Sequence, residues 1–144
     1  MMFPPSTNDQ YGGFTISAWF LALLGLLSIV PGGIHYFLPD GGAGVIAHLD
    51  MGDRAPVIIG VFAWMGATQL AYGLAQLAVA LRYRALVPFF LTLSLLERSL
   101  HALAAWIFKA PPGAHHHPPE NYGVLVALPL IALFLVLSLV PRKR

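Results

Sequence analysis

Four long apolar stretches, separated by short segments rich in proline, glycine and charge, account for most of the 144 residues. They run over about 14–38, 56–81, 86–108 and 122–140. At ~1.5 Å per residue, a helix over each reaches the ~30 Å of a bilayer's hydrocarbon core. The pattern therefore predicts an all-α fold, an integral membrane four-helix bundle. Short connections favour up-and-down order, and the length allows one transmembrane domain over 1–144.

Each stretch has its own interruptions. In the first, Pro31-Gly32-Gly33 is expected to kink or unwind the helix, leaving His35 and Tyr36 as an interfacial pair just beyond. The loop that follows holds three glycines near Asp40, but no Lys-Ser/Thr follows and no strand precedes, so it is not a phosphate loop. Val45–Met51 is expected to form a short interfacial turn of helix. Asp53 is placed as N-cap of the second span, with Pro56 in its first turn. Along that span Thr68, Gln69, Tyr72 and Gln76 fall within about a 100° arc, a polar stripe on an otherwise apolar helix. Gly66, Gly73 and Ala80 recur every seventh residue beside it, which predicts close packing against a neighbouring helix. The fourth span is almost wholly apolar, and Pro129 is expected to bend it.

Composition narrows the function classes. The chain is 58% hydrophobic and 10% charged, with a mean hydropathy of +0.74, whereas a soluble domain carries about a quarter of its residues as charges. Cysteine is absent, which excludes disulfides, thiolate metal sites and thiol redox chemistry. The net charge of +2 lies in short loops and the tail and reads as topology, not nucleic-acid affinity. Met1–Gly13 has no Lys or Arg, so it lacks the basic start of a secretory signal and the first helix is expected to stay in the protein. With four spans, both termini and the 82–84 turn share one side, which carries five basic residues (Arg82, Arg84, Arg142, Lys143, Arg144) against two (Arg54, Lys109) on the other. The excess places the termini in the cytoplasm.

The third span carries the candidate chemistry. Glu97, Arg98 and His101 sit near its middle, where a charge costs roughly 2.5–3.5 kcal/mol unless paired. Ser94, Glu97 and His101 share a helical face, and Ser94 is able to bond back to its own helix. Thr68, Gln69 and Tyr72, at similar depth on the second span, are the expected partners. The preferred reading is an ion-pair cluster that fixes helix packing, without a cofactor. Zinc on Glu97 and His101 with His35 or His48, haem between His35 and His101, and acid/base work by Glu97 on a lipid or quinone are the competing readings. His115–His117, between prolines, is read as a solvated loop.

The layout from Arg54 to Arg144 resembles the DoxX-like group of small four-helix bacterial membrane proteins. The resemblance lies in Asp53-Arg54-Ala55 ahead of the second helix, the basic 82–84 turn, the Glu97-Arg98 centre with Pro111 after it, and the basic end. It implies an inner-membrane protein, in some members linked to respiratory or redox complexes. The expected function is a structural or accessory membrane component. Its partners are lipid and either other membrane subunits or further copies of itself, not nucleic acid. The rival is a membrane-embedded enzyme or redox carrier using Glu97, His101 and His35.

Overall fold

The computed structural model describes residues 3–109 and 117–142. It is built from four helices: α1 (Thr15–Phe37), α2 (Ala55–Arg82), α3 (Val87–Leu103, running on as a π turn through Ala104–Phe108) and α4 (Pro119–Leu139). No strand occurs among the described residues. All four helical segments are long and apolar enough to cross a membrane. Three of them begin on proline at the first or second position, Pro56, Pro88 and Pro119, where the missing N–H would have had no helical partner anyway.

The closest packing joins α1 to α2, antiparallel, through glycine. A Cβ on Gly25 would stand 2.9 Å from the Gly73 carbonyl oxygen, and one on Gly66 would stand 2.7 Å from that of Gly32. The backbones are therefore in direct contact at two levels seven residues apart on both helices. Ala18 and Ala80, a further seven residues along each, are both almost fully buried. Gly66, Gly73 and Ala80 thus have a matching set on α1, Ala18, Gly25 and Gly32. Pro31 does not break α1. The helix is not unwound there and continues to Phe37, with Gly32 held against Gln69, Gly66 and Leu70 of α2. Pro129 likewise lies inside a continuous α4.

The apolar core occupies the half of the bundle nearer the termini. It comprises Leu21 and Leu24 on α1, Val79 on α2, Val87 and Leu91 on α3, and Ile131 on α4, with Phe20 stacked on Phe134 at 4.1 Å between ring centres. Outside, the surface is apolar all round, with Trp64, Val57, Phe89, Val126 and Leu139 among many large exposed side chains. Serine, glycine and glutamine lie within.

The N-terminal segment closes this end of the bundle. Thr7 N–H and Ser6 Oγ donate to the Arg82 carbonyl, both at 3.0 Å, and Asn8 Nδ2 donates to that of Leu81 at 2.9 Å. These are carbonyls the end of α2 leaves without helical partners. Asn8 Oδ1 and Thr7 Oγ1 in turn accept from the N–H groups of Arg84 and Ala85 ahead of α3. Ser6-Thr7-Asn8 therefore caps one helix end and the next helix start together. At the start of α2 the expected cap is absent: Arg54, not Asp53, is the N-cap residue, with no side-chain cap bond, because Gly52–Arg54 forms a 3₁₀ turn. Val45–Met51 is not helical either. Gly42 O collects the N–H groups of Ile46 and Ala47 in one wide turn.

Glycine substitutions separate packing from propensity. Gly73→Ala would drive its Cβ onto the Gly25 carbonyl and Ile29 and is expected to destabilise by about 1–3 kcal/mol. Gly33→Ala meets nothing within 4 Å and should be neutral or stabilising by up to about 1 kcal/mol. Reversible unfolding of the two variants in bicelles checks the order.

Candidate functional site

Two polar groupings lie along α3, and they are separate. The inner one joins three helices. Ser94 Oγ donates to the Phe90 carbonyl at 2.9 Å, and it accepts from Gln76 Nε2 at 3.0 Å and from the Tyr72 hydroxyl at 3.2 Å. Gln76 Oε1 faces Ser28 Oγ of α1 at 3.3 Å, and that hydroxyl also reaches the Leu24 carbonyl at 3.0 Å. Gln76, Ser94 and Ser28 are all buried. Each polar atom has a partner, as an amide and hydroxyls away from water require.

The outer grouping joins α3 to the first turn of α4. Arg98 Nε lies 3.0 Å from a Glu97 carboxylate oxygen, and its Nη1 donates to Glu120 at 3.1 Å. The guanidinium is the covered member, with its side chain 19% exposed against 49% for Glu97 and 36% for Glu120. Glu120 also sits where a helix N-terminus favours an anion. One turn further on, His101 Nε2 meets Asn121 Oδ1 at 3.0 Å and must donate to it, since an amide oxygen only accepts. The π turn brings Trp106 back over the same residue, and its indole N–H donates to the Asn121 carbonyl at 3.1 Å. His117 lies over the Trp106 ring at 4.2 Å between centres, with Tyr122 edge-on to both rings.

The expected pairing of this cluster with the second span is not what forms. Only Ser94 among the α3 candidates meets Tyr72. Thr68 is exposed and bonds back to the Trp64 carbonyl at 3.2 Å, and Gln69 Oε1 is buried without a partner among the described residues. Arg98 and His101 turn instead to Glu120 and Asn121, residues that read as loop before the fourth span, and Glu97 stays with Arg98 of its own helix. The signal for them was Pro118-Pro119, a proline start placing Glu120 in the first helical turn. Gln76 was legible as part of the stripe, but Ser28 looked like one more small residue in an apolar helix.

The other histidines have other occupations. His35 Nδ1 donates to the Gly41 carbonyl at 2.7 Å, and its ring packs edge-on against Phe62 of α2. It thus holds down the loop after α1. That loop is organised by Asp40, whose carboxylate accepts from Gly42, Gly44 and Val45 N–H at 2.8–3.1 Å. Gly41 and Gly42 take the positive φ angles, 61° and 76°, that the turn demands. His48 is exposed on the far side of the loop at φ 54°. His115 and His116 lie outside the described residues. Among the described residues, no three His, Asp or Glu side chains stand together as a metal would require. Comparison with known protein families, with curated proteins and with solved structures finds no match.

Two outcomes test this geometry. Arg98→Met leaves two carboxylates without their cation, whereas Glu97→Gln or Glu120→Gln leaves Arg98 one acid. The arginine change is therefore expected to be the worst of the three by roughly 1–3 kcal/mol, with the triple change recovering most of the loss. Unfolding in detergent measures it, and equal losses for Glu97→Gln and Arg98→Met would remove Glu120 from the account. At Asp40, the Val45, Gly42 and Gly44 amides hold the carboxyl below its ordinary 3.8. A carboxyl lowered in the folded state stabilises above the unfolded value and loses that contribution as pH falls through the folded one. The amide resonances of Gly42, Gly44 and Val45 should hold their shifts at pH 4 and collapse only below 3.8.

Proposed function

We propose that the chain is a small multi-pass protein of a bacterial inner membrane, its termini cytoplasmic, serving as a structural or accessory component of that membrane. The carrying observation is the inversion of polarity. Many large apolar side chains are exposed on all four helices, while Gln76, Ser94, Ser28 and Tyr72 bond to one another inside. An apolar exterior of this extent suits lipid and not water. The inner-membrane setting rests on the layout resemblance, and the orientation on the basic residues.

What supports the accessory role is how the polar groups are engaged. Arg98 is divided between Glu97 and Glu120, His101 is held by Asn121, and His35 is held by Gly41. These bonds tie helix to helix or helix to loop, as expected of groups that set packing. A membrane enzyme or redox carrier using Glu97, His101 and His35 is the rival. A Soret band, or stoichiometric zinc or iron in the purified protein, would decide for it.

Orientation is tested by fusion. Alkaline phosphatase joined after Gly52 or Lys109 is expected to be active, and joined after Arg84 or Arg142 inactive. The opposite pattern would put the termini outside.

A further inference from the structure

Two arginines from different elements converge on one face of α1 at the terminus-bearing end. Arg84, between α2 and α3, donates Nε to the Ala80 carbonyl at 3.0 Å, and its guanidinium carbon lies 5.7 Å from the centre of the Trp19 ring. Arg142, beyond α4, donates Nη1 to Thr15 Oγ1 at 3.5 Å and its backbone N–H to the Gly12 carbonyl at 2.8 Å. Thr15 and Trp19 are one turn apart, so their side chains share a face, with Cβ atoms ~5–6 Å apart. Among the described residues both ion pairs belong to Arg98, so no described carboxylate pairs with Arg84 or Arg142.

A cleft of about 260 Å³ opens between the N-terminal segment, the start of α3 and the end of α4, and it is lined by Tyr11, Ala85, Pro88, Ser138 and Pro141 among others. Ala85 and Pro141 are the chain neighbours of the two arginines. Away from this end, α1 presents Trp19, Leu23, Leu26 and Val30, all exposed, at spacings of four, three and four that form one apolar stripe.

We propose that Arg84 and Arg142 hold the phosphate of an anionic phospholipid over Thr15 and Trp19, its acyl chains lying along Leu23, Leu26 and Val30. The proposal rests on the reading that this end of the bundle meets a leaflet surface. Guanidinium forks match phosphate oxygens two at a time, and an exposed tryptophan at that level suits the interface. A zwitterionic headgroup would bring its own cation against Arg82, Arg84 and Arg142, so the charge favours an anionic lipid.

Alkaline carbonate extraction of membranes comes first: release of the chain would overturn the membrane reading and this proposal together. With the chain retained, native mass spectrometry of the full-length protein in mild detergent compares phosphatidylglycerol, phosphatidylcholine and inorganic phosphate. One tight phosphatidylglycerol adduct is expected, weakened about tenfold by Arg84→Gln and by Arg142→Gln and unchanged by Arg54→Gln at the opposite end. Arg142 makes one long side-chain bond, so Arg142→Gln decides the matter should Arg84→Gln misfold. Undiminished binding to Arg142→Gln, equal binding of phosphatidylcholine, or displacement of the lipid by inorganic phosphate would each overturn the lipid site. The last would reassign the arginines to free phosphate.

Discussion

The backbone contact between α1 and α2 sets the terms for the rest of the bundle. With Gly25 against Gly73 and Gly32 against Gly66, the two helices stand too close for side chains between them at those levels. Their larger residues are turned to the flanks, toward α3, α4 or the exterior. The contact fixes register as well as distance, because a shift by one residue would bring a side chain against a backbone. From that register follow the meeting of Ser28 with Gln76 at 3.3 Å, the position from which Gln76 reaches Ser94, and the placing of His35 over the loop after α1. In an apolar surrounding, where burial of side chains offers little difference between associated and separated helices, such close backbone packing is a main source of association.

The second helix pair is held differently. Between α3 and α4 the named polar contacts are charged or aromatic: Arg98 to Glu120, His101 and Trp106 to Asn121. They gather at the start of α4, while the apolar core of Leu91 and Ile131 lies nearer the termini. The N-terminal segment then binds the two pairs at the other end, Ser6-Thr7-Asn8 on the α2–α3 turn and the Phe14 N–H on the Leu137 carbonyl. Three kinds of physical contact thus serve three places. Backbone packing joins the first pair, ion pairing joins the second, and capping hydrogen bonds join both at the end that carries Arg82, Arg84 and Arg142.

Much of the architecture was legible because it depends on period and length. Four apolar runs gave four helices, and the seven-residue recurrence of Gly66, Gly73 and Ala80 announced a close neighbour. The misreadings share one cause: a residue's type was legible while its tertiary partner was not. Pro31 has the local chemistry of a break, yet α1 stays helical, with Gly32 packed against α2. Asp53 has the chemistry of a cap, yet a 3₁₀ turn moves the helix start past it. The partners expected for Arg98 lay on the second span, and the start of α4 at Pro119, which supplies Glu120, was not visible from its local sequence. Ser6-Thr7-Asn8, polar and preceding no apolar run directly, gave no local sign that the helix end it caps lies some 75 residues away, as the Ser6 to Arg82 and Asn8 to Leu81 bonds require.

The arrangement around Glu97 bears directly on the choice between a packing role and acid/base chemistry. One Glu97 carboxylate oxygen holds the Arg98 guanidinium at 3.0 Å, as a packing role requires. Glu97 is nonetheless the more exposed of the two acids on Arg98, and its release would leave the arginine still paired to Glu120. The second acid therefore cuts both ways: it makes Arg98 a firm link between α3 and α4, and it makes Glu97 the dispensable member of the link. A packing role needs Arg98 and Glu120 most. Proton transfer would need Glu97 most. The two roles consequently place their demands on different residues of one cluster, and the residue whose loss matters most identifies which role the cluster serves.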